Sequence, residues 1–273
     1  MKAKLILFVS VVSIFVSPPV YGEKQGTTPA EYNENFKKIS QQNQVENEGR
    51  KLIEQGLYDK AIEKFKKADD PSLRVEGYER SLPKGLLAKA YQFSGKYEDA
   101  LAIFNYLLSL SPNQVSFEDG KLELEALIKA RETKSPHPVN DHIQYLKEKY
   151  KDQLPPKRYQ STGYSTVVTS DIIRLYDHIA DYDAGIAFVD SVVNYFYSKN
   201  KSLRGVSTSQ EALQKAEERG KHWRDYKKIY EYLKVREAFE ADKKEGRQSC
   251  VGKTGVCIGR ATQALIQSDY FPW

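Results

Sequence analysis

Cysteine is scarce in this chain. Two cysteines, Cys250 and Cys257, in 273 residues exclude a disulfide-dense scaffold and any four-cysteine zinc or iron–sulfur site. Histidine is nearly as rare. His137, His142, His178 and His222 show no His-Glu-x-x-His or other ligand spacing. His178 lies between Asp177 and Asp181, which would tune a base, but a solvated helix face explains it better. Two partial motifs fail on their missing residues. Gly252-Lys253-Thr254 lacks the earlier glycine of a phosphate loop, because that position holds Arg247. Asp181-x-Asp183-x-Gly185 lacks the further acids and closing Glu of a calcium loop. The expectation is a non-catalytic protein with no cofactor and no metal.

Long apolar runs and strand patterns are missing too. Residues 5–16 form an uncharged, mostly apolar run of twelve, which as a helix rises about 18 Å, short of the ~30 Å hydrocarbon core. Lys2 and Lys4 precede it, Ser17, Pro18 and Pro19 break it, and Gly22 offers a small residue before Glu23. This is the layout of a secretory signal peptide cleaved near Gly22. Two of the positives in the net charge of +5 lie in that leader, so the remaining excess implies no nucleic-acid partner. No sustained two-residue alternation occurs, and residues 165–169 are the one short β-like run. The chain reads as all-α and exported, to a bacterial periplasm or beyond.

Polar residues 23–43 read as a flexible lead-in. Residues 44–150 and 166–246 read as two helical regions separated by a linker, 151–165, that carries Pro155-Pro156 and Gly163. Within the first region lies an internal repeat. One copy is Gly49-x-x-Leu52-x-x-x-Gly56-x-Tyr58-x-x-Ala61-x-x-x-Phe65-x-x-Ala68. The other is Ala88-x-x-Tyr91-x-x-x-Gly95-x-Tyr97-x-x-Ala100-x-x-x-Phe104-x-x-Leu107, with every anchor 39 residues later. Gly56 and Gly95 end a first helix in a left-handed conformation. Alanine and phenylalanine four apart face a second helix back onto it. Gly49 and Ala88 allow the two helices to approach closely.

These anchors resemble the tetratricopeptide repeat, a helix–turn–helix unit of 34 residues. The resemblance covers about residues 45–113, and the extra residues fall in the connection between the copies. It implies a right-handed α-solenoid of about eight to ten helices, because a lone hairpin cannot bury its apolar face. Residues 169–200 carry a degraded copy, with Ala180 at the turn glycine. Residues 117–131 and 140–150 form a helix pair without the signature. The resemblance also implies a concave groove, lined by the first helix of each repeat, that binds a protein or peptide partner. By register Glu46, Arg50, Ile53 and Glu54 face it from the first copy. Lys89, Gln92 and Phe93 face it from the second. Some members hold a peptide's terminal carboxylate there with Lys and Asn; this chain has Glu46 and Arg50 instead.

Ser116 with Asp119, and Thr208 with Glu211, read as capped helix starts. Residues 221–236 carry six basic and two acidic residues among Trp223, Tyr226, Tyr230 and Tyr232. The 3-4-3 spacing of Trp223, Tyr226, Tyr230 and Leu233 makes a core-facing stripe. Contact with an anionic envelope surface is the functional alternative. In residues 247–273 the oxidising compartment and the flexible Gly252 and Gly255 favour a Cys250–Cys257 disulfide over metal binding. Such a ring would pin residues 261–266 as a final docked helix. The reading is an exported interaction protein. The competing class is an envelope enzyme, or an enzyme-associated subunit, whose helices position a site.

Overall fold

The computed structural model describes residues 29–73, 75, 82–154, 164–218 and 223–268. The predicted leader and Pro155-Pro156 with Gly163 lie outside them. Among the described residues eleven α-helices form and no strand does, so the all-α expectation holds and the helix number exceeds eight to ten. The helices are α1 (Pro29–Glu54), α2 (Tyr58–Ala68), α3 (Leu82–Phe93), α4 (Tyr97–Leu110), α5 (Val115–Thr133) and α6 (His137–Lys149). They continue with α7 (Tyr164–Ile179), α8 (Tyr182–Lys199), α9 (Ser209–Glu218), α10 (Trp223–Glu245) and α11 (Arg260–Ile266). From α1 to α8 each helix packs on its successor; α10 then takes α8, α9 and α11. None is long and apolar enough to cross a membrane.

Helix α1 begins at Pro29, so residues 29–43 are helical rather than a loose lead-in. Gln42 is buried there and donates to the Ala68 carbonyl at 2.8 Å. Residues 165–169 are also helical, within α7. Val168, Thr169, Ile172 and Ile173 fall on one buried face, and that packing overrides the β-branched propensity. On α10, Tyr226 and Leu233 are buried and Tyr230 half-buried, as a core stripe requires; the Trp223 side chain lies outside the description.

One device ends α1, α3, α5 and α7. Gly56 has φ +74° and Gly95 +77°, and the next amide bonds five residues back, Leu57 N to Leu52 O and Lys96 N to Tyr91 O. The same closure recurs where no glycine stands. Lys134 (φ +54°) carries Ser135 N to Ala130 O, and Ala180 (φ +58°) carries Asp181 N to Tyr176 O. Lys134 follows Gly95 by the same 39 residues. Its hairpin buries Val139, Ile143 and Leu146 at the places of Ala100, Phe104 and Leu107. The α5–α6 pair is therefore a third copy in geometry, with its anchor chemistry exchanged. In the first copy Gly49 does admit close approach: a Cβ there would stand 2.5 Å from the Phe65 ring.

Since a left-handed alanine costs about 1–2 kcal/mol and glycine returns about 0.4–1 kcal/mol of that to the unfolded chain, Ala180→Gly should stabilise by about 0.5–1 kcal/mol. A melting temperature unchanged or lowered would mean that Ala180 does not hold this conformation.

Two expected caps resolve differently. Thr208 Oγ1 accepts from Glu211 N at 3.2 Å, while the Glu211 carboxylate takes Ser207 N at 3.0 Å. Helix α5 has no side-chain cap from Ser116. Asp119 is instead buried and accepts from Tyr150 OH at 2.5 Å, Lys149 Nζ at 2.7 Å and Tyr145 OH at 3.3 Å.

Candidate functional site: a buried charge seam and a docked tail

None of the seven predicted groove residues is exposed. Glu46, Ile53 and Phe93 are buried; Arg50, Glu54, Lys89 and Gln92 are half-buried. These residues do not form an open, solvated face, and they fall into two surroundings.

One part is a seam of charge across α3, α5 and α7. Gln92 Nε2 donates to Glu123 Oε1 at 2.5 Å. Arg174 Nη2 meets the same oxygen at 2.6 Å and Asp171 Oδ1 at 3.0 Å. The Glu123 side chain is 5% exposed and that of Arg174 12%, so the pair is nearly dry. Burial pushes the Glu123 carboxyl up to about 7, against the pull of Arg174. Burial likewise pushes the Lys89 ammonium down to about 8, with Asp171, Arg174, Glu123 and Arg50 close enough to act on it.

The other part lies beneath residues 247–268. The two cysteines are joined, as expected: their sulfurs are 2.16 Å apart and their Cα atoms 5.6 Å, inside the ~4.4–6.8 Å that a disulfide spans. The resulting ring runs along the helix-ending turns. Cys250 N donates to the His178 carbonyl at 2.8 Å. Gly255 lies on the α3–α4 turn so closely that a Cβ on Gly95 would stand 2.3 Å from its carbonyl oxygen. Helix α11 then docks on α7, α10 and the end of α1, burying Ala261, Thr262, Ala264, Leu265 and Ile266. It is the predicted final helix, yet it reaches back to the first hairpin. Gln263 Nε2 donates to the Glu54 carbonyl at 3.0 Å, and Tyr58 OH to Gln263 Oε1 at 3.4 Å.

Asp177 holds the tail down. Its Oδ2, on a side chain 1% exposed, accepts from Gly259 N at 2.9 Å, Thr262 N at 3.2 Å and Thr262 Oγ1 at 2.5 Å. Between tail and helices remains a cavity of about 30 Å³ lined by Gln92, Phe93, Arg174, His178, Cys257 and Thr262, water-sized. His178 is therefore not on a solvated face. Burial, then the charges of Arg174 and Arg247, push its imidazole down to about 4.

Sequence reasoning missed Glu123, Asp171, Arg174 and Asp177. One signal was available: three charges, Asp171, Arg174 and Asp177, stand at helical three-residue spacing inside the apolar stretch 167–179, where a charge needs a buried partner. Chemically, the surface offers acceptors (a carboxylate and a free-ending helix carbonyl) to the amides of a polypeptide segment. Searches against protein-family models, curated proteins and solved structures find no match for this chain.

Proposed function

We propose that this is an exported, non-catalytic interaction protein of the cell envelope, a superhelical stack of tetratricopeptide-like hairpins whose inner groove takes a polypeptide segment. One observation carries the reading: that surface is complementary to a segment of the chain itself, with residues 259–267 bonded to Asp177 and to the Glu54 carbonyl. The recurrent turn geometry at Gly56, Gly95, Lys134 and Ala180 supports the stacked-repeat arrangement. The twelve-residue apolar run behind Lys2 and Lys4 supports export, with cleavage near Gly22.

The groove is tested by passing envelope extract over the immobilised chain, Lys89→Gln and Gly95→Val. The last variant forces a side chain against Gly255 and displaces the tail. A groove ligand is retained less by Lys89→Gln and more by Gly95→Val. Equal retention by all three moves the interface off the groove.

A second reading rests on Glu123 and Lys89, whose ionisation is brought by burial to about 7 and about 8, the range suited to acid–base work. It makes the chain an envelope enzyme or the positioning subunit of one. A Glu123→Gln chain that retains its ligand but loses a turnover seen with the unaltered protein would favour it.

A further inference from the structure

The two sulfurs of the disulfide stand in unlike surroundings. Cys250 is 2% exposed, and a guanidinium nitrogen of Arg247 approaches its sulfur at 3.2 Å. Cys257 is half-buried and belongs to the cavity wall. Arg247 also faces Asp177, Oδ1 at 3.4 Å and the backbone carbonyl at 3.2 Å, and Asp242 at 3.9 Å. It is thus held in place beside Cys250 by groups other than sulfur. A cation fixed next to one sulfur stabilises that sulfur as a thiolate, and in thiol–disulfide exchange the sulfur that leaves faster is the one of lower thiol pKa.

We infer that Cys250–Cys257 is an exchangeable disulfide, the substrate of a dithiol oxidoreductase that attacks Cys257 and expels Cys250 as a thiolate beside Arg247. A thiolate of the partner forms a bond to Cys257 Sγ, the Cys250–Cys257 bond breaks, and Cys250 takes the electron pair and then a proton. The partner's second thiol, as its thiolate, attacks its own first sulfur and displaces Cys257, which takes the second proton. The protein gains two electrons and two protons, and the partner leaves oxidised. The consequence is local. Across residues 251–256 the ring is bridged by Lys253 N to Cys250 O at 3.0 Å, and residues 253–256 are exposed. Once reduced, the segment can lift from the Gly95 and Lys134 turns and uncover the Gln92–Phe93 wall, while Asp177 keeps α11 docked. This inference stands whether or not the groove binds a peptide.

The test uses the folded full chain and a thioredoxin-type protein whose resolving cysteine is replaced by serine, so that the first mixed disulfide is trapped. Peptide mapping should place the link on Cys257 and find Cys250 free to alkylate. With dithiothreitol, reduction of the native chain should outrun its global unfolding. Arg247→Leu should slow it about tenfold and Arg247→Lys much less, as loss of leaving-group stabilisation requires. A link on Cys250, reduction no faster than unfolding, or an Arg247→Leu chain reduced as fast as the unaltered one would each overturn the assignment.

Discussion

Arg174→Met should be the most damaging single substitution in the charge seam, costing about 3–5 kcal/mol, the range for removing one partner of a buried ion pair. It strands Glu123, 5% exposed and 2.6 Å from the lost guanidinium, and removes the cation that sits 5.9 Å from the Phe93 ring centre. The loss has a pH signature. Burial raises the folded Glu123 carboxyl to about 7 from an ordinary 4.5, so between those values the native state holds a proton that the unfolded chain releases. Its contribution to stability therefore falls as pH rises from about 4.5 to 7. Without Arg174 the carboxyl titrates higher still, and the variant should suffer more at pH 8 than at pH 5, where Glu123 is neutral in both chains. Glu123→Gln should flatten that part of the stability–pH curve. Urea titrations at the two pH values decide it; an equal, small loss at both would mean that the pair is solvated.

Asp177→Ala should undock the tail. The change leaves the buried amides of Gly259 and Thr262 and the Thr262 hydroxyl without their acceptor, and a buried donor left unmade costs about 1–3 kcal/mol. Two such amides suffice to offset much of what α11 gains by burying five side chains. The expected result is fast amide exchange across residues 259–266 and proteolysis after Arg260, with the exchange pattern of α3 to α6 preserved. Protection of α11 equal to that of the unaltered chain would show that apolar burial alone seats it.

The two clear repeats were legible because their anchors keep both spacing and chemistry. The third keeps only the spacing: Lys134 stands for glycine, Pro136 for tyrosine and Val139 for alanine. A pattern sought by residue type passes over it, although the backbone turn is the same. Helix α1 was misread at its start because residues 29–43 carry few apolar side chains; Gln42, which reaches the Ala68 carbonyl, is the buried residue among them. The surroundings of the seven residues expected in a groove were not legible, and all of them are buried or half-buried. What covers the Glu54 carbonyl arrives from α11, and no local pattern encodes a contact between residues 209 apart. The ring itself was readable, since two cysteines and two glycines in eight residues have few other uses.

The return of α11 to the end of α1 changes how the molecule must come apart. A linear stack of repeats shares contacts only between neighbours, so its ends can fray while the middle stays folded. Here the Gln263–Glu54 bond and the burial of α11 against α7 and α10 tie the terminal hairpin to the last helices. Fraying at either end then costs the contacts of both. The array should behave as a closed unit that melts in one transition. During synthesis the first hairpin stays unlatched until residues 260–267 emerge, so its latching is slow relative to the local helix pairs, as loop closure over such a span demands.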